Sequence, residues 1–139
     1  MWLTMRTIPV LFCVSLVVVL IVGCGPKAPY DLVILEGVAT YADKPIPKDF
    51  RLTFQSLDGK RPSTAVIKQD DGKFAAIHTL SQDGVPKGKC KVNVLWGGDI
   101  GTSPPKEFEP MLKKYGYGTE GQELEFTKND KKYKLDFPE

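Results

Sequence analysis

The chain is poor in the residues that build most active sites. There is one histidine, His78, in 139 residues, and only three cysteines: Cys13, Cys24 and Cys90. A structural zinc site needs four Cys, His or carboxylate ligands, and neither a second His nor a paired cysteine motif is present. Cys13 lies inside an apolar run and Cys24 closes it, so Cys90 has no partner for a disulfide framework. Neither sign of charge dominates, with 19 Lys and Arg against 17 Asp and Glu. That balance gives no electrostatic basis for binding nucleic acid. Internal repeats, low-complexity tracts and, beyond the first 23 residues, amphipathic helical periodicity are also missing. About 110 residues must therefore be held together by an ordinary hydrophobic core, which is feasible at this size.

The amino terminus carries the clearest pattern. From Ile8 to Val22 only Pro9 and Ser15 are not clearly apolar, Arg6 precedes the run, and residues 1–23 contain no acid. A short basic region, an apolar region and small residues at its end are the order of a secretory signal. The run is short for a membrane span, which takes about 20 residues. A retained helix starting at Met1 or Trp2 reaches that length, so an uncleaved anchor is the alternative. The residues Ile21-Val22-Gly23-Cys24 resemble the lipobox of bacterial lipoproteins. The resemblance implies cleavage before Cys24, a diacylglycerol on its sulfur, an N-acyl chain on its amine and no other cofactor. Two or three acyl chains hold a protein on a membrane nearly permanently. Gly25, where an Asp would favour retention, implies sorting to the outer membrane, facing the periplasm or the cell surface.

Residues 24–31 then read as the lipidated cysteine and a short tether. The seven residues of "GPKAPYD" span at most ~25 Å. From residue 32 to 139 the pattern is strand and turn. "LVILEGVATY" is β-branched-rich, with Gly37 marking a bulge or close backbone approach. "FRLTFQ" puts Phe50, Leu52 and Phe54 on one face, and "KCKVNVLW" puts Cys90, Val92, Val94 and Trp96 on one face with Lys89, Lys91, Asn93 and Leu95 on the other. Asp70-Asp71-Gly72 is expected to close a hairpin from "STAVIKQ" into "KFAAIHTL". Strict alternation there places His78 on the face of Phe74 and Ala76. "QELEFTK" and "KKYKLDF" are expected to form a last hairpin around Asn129-Asp130, with Tyr133, Leu135 and Phe137 on a shared face. Turns every 8–12 residues argue for an all-β fold. The expectation is an antiparallel Greek-key sandwich of about seven strands, preceded by an apolar signal-peptide helix over residues 1–23.

Four segments, in order, resemble the transthyretin-like, or carboxypeptidase regulatory-like, domains of bacterial surface lipoproteins. They are "EGVATYADKPIPKDFRLTFQS", "KQDDGKFAA", "DGVPKGKCKVNVLW" and "PPKEFEPM…GTEGQELEF". Asp43, Lys48-Asp49 and Cys90 depart from that pattern, as does the irregular stretch 106–119. The resemblance implies a prealbumin-like sandwich and no catalytic residues. Its hydroxyisourate hydrolase branch needs several site residues that this chain lacks.

Candidate chemistry is therefore sparse. Asp70-Asp71-Gly72 lacks the further acids of a calcium loop, and Cys90 reads as a buried thiol. Residues 97–119 are rich in Gly and Pro, and Pro110 limits any helix there to a short turn. The stretch is a long connection of the functional or mobile kind. Trp96, Phe108, Lys113, Lys114, Tyr115 and Tyr117 make it the candidate partner-binding surface, because loop aromatics are enriched in interfaces. They could equally plug the end of the sandwich. The expected function is a non-catalytic, lipid-anchored envelope protein that scaffolds or recognises a protein or glycan. A small enzyme with a site near His78 and the 97–119 loop is the alternative.

Overall fold

A computed structural model describes residues 27–139. The apolar run and Cys24, with the lipidation expected there, lie outside the described residues. The strands in chain order are β1 (Leu32–Val33), β2 (Leu35–Tyr41), β3 (Lys44–Pro45), β4 (Phe50–Ser56), β5 (Ser63–Val66) and β6 (Lys73–Ala75). They continue as β7 (Ile77–Thr79), β8 (Gln82–Asp83), β9 (Val85–Pro86), β10 (Gly88–Trp96), β11 (Gln122–Phe126) and β12 (Asp130–Phe137). One helix, α1 (Glu109–Tyr115), follows a 3-10 turn at Lys106–Phe108.

Two sheets face each other. The larger has the order β11-β10-β4-β5-β7-β8. The smaller has β2 at its centre, with β12 on one side and β3 and β6 on the other. In the larger sheet β10 returns to lie beside β4 after β5 and β7 have been laid down on β4's other side, which is a Greek key. Phe50, Leu52 and Phe54 from β4 meet Val92 and Val94 from β10 and Leu35 and Leu135 from the smaller sheet in one core, all at most 1% exposed. Each such side chain contributes roughly 1.5–3 kcal/mol relative to exposure.

Alternation places the strands correctly, but two pairings differ from the sequence expectation. Gly72 takes the left-handed φ of 73° that the Asp-Gly turn needs. However, β5 pairs with β4 and β7, while β6 pairs with β2. The turn thus carries the chain between sheets instead of closing a hairpin. Phe74 is delivered against Phe54, with ring centroids 6.2 Å apart. The run then switches back at Ala76, whose N–H bonds Leu35 O while its carbonyl accepts from Gly84. A bend of this kind makes a sandwich corner.

The last two strands behave likewise. β11 adds to β10, and β12 pairs in parallel with β2. Phe126 and Tyr133 meet across the sandwich at 5.6 Å. Apolar faces on both segments are satisfied by facing each other, which an edge-to-edge hairpin would forbid. β12 carries one extra residue between Asp130 and Tyr133 opposite β2, so the backbone approach at Gly37 is close: a Cβ there would lie 1.9 Å from Tyr133 O.

The stretch 97–119 is a second departure. Pro110 sits in the first turn of α1, where its missing N–H costs no hydrogen bond. The helix is amphipathic, burying Met111 and Tyr115 and exposing Lys113 and Lys114.

Candidate functional site

The six residues proposed for partner binding do not form one surface. Phe108 and Tyr115 are 3% and 4% exposed and belong to the core. Phe108 lies 5.7 Å from the Phe50 ring and 6.2 Å from Tyr41, and Tyr115 lies 5.1 Å from Phe137. The Tyr115 hydroxyl donates to Pro138 O at 2.6 Å. These two aromatics close the end of the sandwich and present nothing to a partner. Trp96 is half-buried on Phe50 at 5.0 Å, its indole N–H reaching Thr102 O. Lys113, Lys114 and Tyr117 are exposed. Lys114 donates to the Glu139 carbonyl at 2.9 Å.

Alternation puts Asn93 on the outward face of β10, yet it is 5% exposed. Its amide donates to Tyr115 O at 3.1 Å and to Gly116 O at 3.0 Å. The C-terminal carbonyls of α1, which have no partner within the helix, find their donor there.

His78 is buried on the face of Phe74 and Ala76, as alternation requires. Its Nδ1 lies 2.8 Å from Ser63 Oγ and its Nε2 2.8 Å from Tyr30 OH. The Tyr30 hydroxyl in turn accepts from the Arg61 N–H at 3.2 Å. Both ring nitrogens are used if Tyr30 donates to Nε2 and the Nδ1–H donates to Ser63. A serine beside a histidine has the contacts of a nucleophile and its base. Here Ser63 is 0% exposed, so no substrate reaches it in this conformation. Burial, then the Arg61 charge, pushes the His78 pKa below its ordinary 6.5 and keeps the ring neutral. What the pair visibly does is fasten the tether: Tyr30 stacks edge-on to His78, Lys60 sits over the Tyr30 ring, and Ala28 N–H donates to Gln82 Oε1.

Cys90 is fully buried, with its thiol 3.7 Å from Pro86 O, and burial pushes it up to about 11. No group of three or more His, Cys, Asp or Glu able to hold a metal occurs among the described residues.

A concave surface among the described residues lies elsewhere. A groove of about 820 Å³ runs over the outer face of the smaller sheet. Val38 contributes apolar surface, and Lys73, Lys132 and Lys134 line it together with Glu36 and Asp136. Asp136 is engaged by the Thr40 hydroxyl at 2.9 Å. Among the described residues no carboxylate lies within 4.0 Å of the Lys131, Lys132 or Lys134 ammonium. Burial, then Asp130, raises the Tyr133 pKa, so the phenol stays protonated as a hydrogen-bond donor. The sequence carries a signal for this face, the outward lysines of "KKYKLDF". Nothing local says that they meet Lys73 across β2.

No family model matches the chain, and neither a curated protein nor a solved structure matches it.

Proposed function

We propose that this chain is a non-catalytic, lipid-anchored protein of the bacterial cell envelope that recognises a protein or glycan partner through the outer face of its smaller sheet. The groove along β2, β6 and β12 is the observation that carries the recognition part: it is concave, holds the apolar Val38 and is lined with lysines, of which Lys131, Lys132 and Lys134 have no carboxylate within 4.0 Å among the described residues while Lys73 meets Asp71 at 3.9 Å. Such a surface suits an acidic partner with some apolar surface. The order of basic residue, apolar run and Ile21-Val22-Gly23-Cys24 supports the anchor. The resemblance to transthyretin-like lipoprotein domains belongs to the same proposal.

The test is capture from solubilised membranes. Lys131→Glu, Lys132→Glu and Lys134→Glu together should abolish enrichment of a specific partner, while Lys113→Glu with Tyr117→Ala leaves it intact. Loss with the Lys113→Glu and Tyr117→Ala pair and retention with the three-lysine variant would return recognition to the 97–119 region. Intact mass tests the anchor: a chain starting at Cys24 plus acyl chains supports it, and an unmodified chain from Met1 refutes it.

A further inference from the structure

The tether leaves the sandwich at a defined place, and that place fixes which end faces the bilayer. Ala28 is bonded to Gln82, Tyr30 to His78 and Arg61, and β1 to β9 through Leu32↔Pro86. The chain is thus held from residue 28 onward. Residues 24–28 span at most ~14 Å, about half the reach of an unattached tether ending at residue 31. The end of the sandwich around Ala28 must sit within that distance of wherever residue 24 is embedded.

That end is made by the tether and four turns. Residues 57–62 follow β4, residues 80–83 are the turn after β7 together with β8, residues 87–89 open β10 and residues 127–131 are the turn after β11 together with the start of β12. Hydrogen bonds join the neighbours: Leu57 N–H to Lys89 O, Lys60 Nζ to Lys87 O, Lys87 N–H to Asp31 O and Ile34 N–H to Asn129 Oδ1. With residues 27–31 these segments hold seven Lys or Arg and four Asp or Glu. The rest of the described chain carries an excess of acid, eleven basic residues against thirteen acidic. Two large apolar side chains project from this basic end: Leu80 is fully exposed at the tip of the β7–β8 turn, and Leu57 is 49% exposed.

The geometry points to this end as a second membrane contact, in which Leu80 and Leu57 enter the headgroup layer of the phospholipid bilayer and the surrounding Lys and Arg meet anionic headgroups. The inference rests on the proposed membrane anchor but not on its chemistry, since an uncleaved helix ending near residue 24 imposes the same orientation. Apolar side chains ringed by basic ones are the combination that binds such an interface. The nine residues of β10 then carry the opposite end, with Ile100, about 27 Å further from the membrane. A long groove lying along the strands stays open to partners beside the membrane.

The experiment uses the full chain in vesicles of zwitterionic and anionic phospholipid, with spin labels at Leu80→Cys or Ile100→Cys. Both side chains are fully exposed, so neither change disturbs the core. The unsubstituted chain serves as the labelling blank. The label at 80 should show a severalfold higher ratio of oxygen to nickel-complex accessibility than the label at 100. Equal ratios, both those of bulk water, overturn the orientation. Intact mass on the same preparation separates the two ideas. An acylated chain with a water-exposed label at 80 keeps the anchor and rejects the contact; an unacylated chain with an immersed label rejects lipidation and supports the contact.

Discussion

Replacing Asn93 tests whether the irregular stretch after β10 is held by one amide. Asn93→Ala removes the donor to Tyr115 O and Gly116 O. Gly116 O keeps the Thr119 hydroxyl at 2.7 Å and the Thr119 N–H at 3.2 Å, whereas Tyr115 O is met by the Asn93 amide alone. One buried carbonyl is then orphaned, at about 1–3 kcal/mol. We expect a loss near 2 kcal/mol, which a urea slope of about 1–2 kcal/mol/M turns into a midpoint shift of about 1–2 M. Asn93→Asp keeps size and shape but points a carboxylate at two carbonyl oxygens with little solvent. It should cost more than the alanine variant, beyond about 3 kcal/mol, because an unpaired buried charge is worse than an unpaired dipole. Urea unfolding at neutral pH, followed by the fluorescence of Trp96 on Phe50, reads both. An aspartate variant as stable as the alanine variant, or either variant within about 0.5 kcal/mol of the parent, would refute the reasoning.

Three further outcomes are expected. Phe108→Ala should cost about 3–5 kcal/mol because it empties a core position, while Tyr117→Ala stays within about 0.5 kcal/mol; thermal unfolding distinguishes a plug from a surface. His78 titrates below its ordinary 6.5 in the folded state, so the unfolded chain binds the extra proton first. Its contribution is fully present above pH 6.5 and is lost as pH falls from there toward the folded pKa; urea midpoints across that window should decline, and His78→Gln should flatten the decline. Cys90, raised to about 11, should resist thiol reagents in native protein near neutral pH and react fully in urea; rapid native labelling would contradict its burial.

Some of this architecture is local, and the sequence alone determines it. Side chains in a strand alternate with a period of two whatever the strand pairs with. Phe50-Leu52-Phe54, Phe74-Ala76-His78, Cys90-Val92-Val94 and Tyr133-Leu135-Phe137 therefore declare their inward faces without help. Gly37 and Gly72 are equally legible, the one by interrupting a β-branched run and the other by its turn chemistry. The apolar run ending at Cys24 is a covalent pattern that needs no fold to be read.

Pairing is different, because it is decided by which apolar faces meet. The Asp-Gly turn has the same backbone whether it closes a hairpin or crosses between sheets. Only the contact of Phe74 with Phe54 selects the crossing, as Phe126 on Tyr133 selects parallel pairing for β12. Asn93 is inside because α1 lies over it, and α1 forms because Phe108, Met111 and Tyr115 have a core to enter. The groove lysines come from strands 58 or more residues apart, and Tyr30 reaches His78 across 48. Alternation is a property of the chain next door to itself. The tether clamp and the groove are properties of distant segments brought together, and only the tertiary structure decides those.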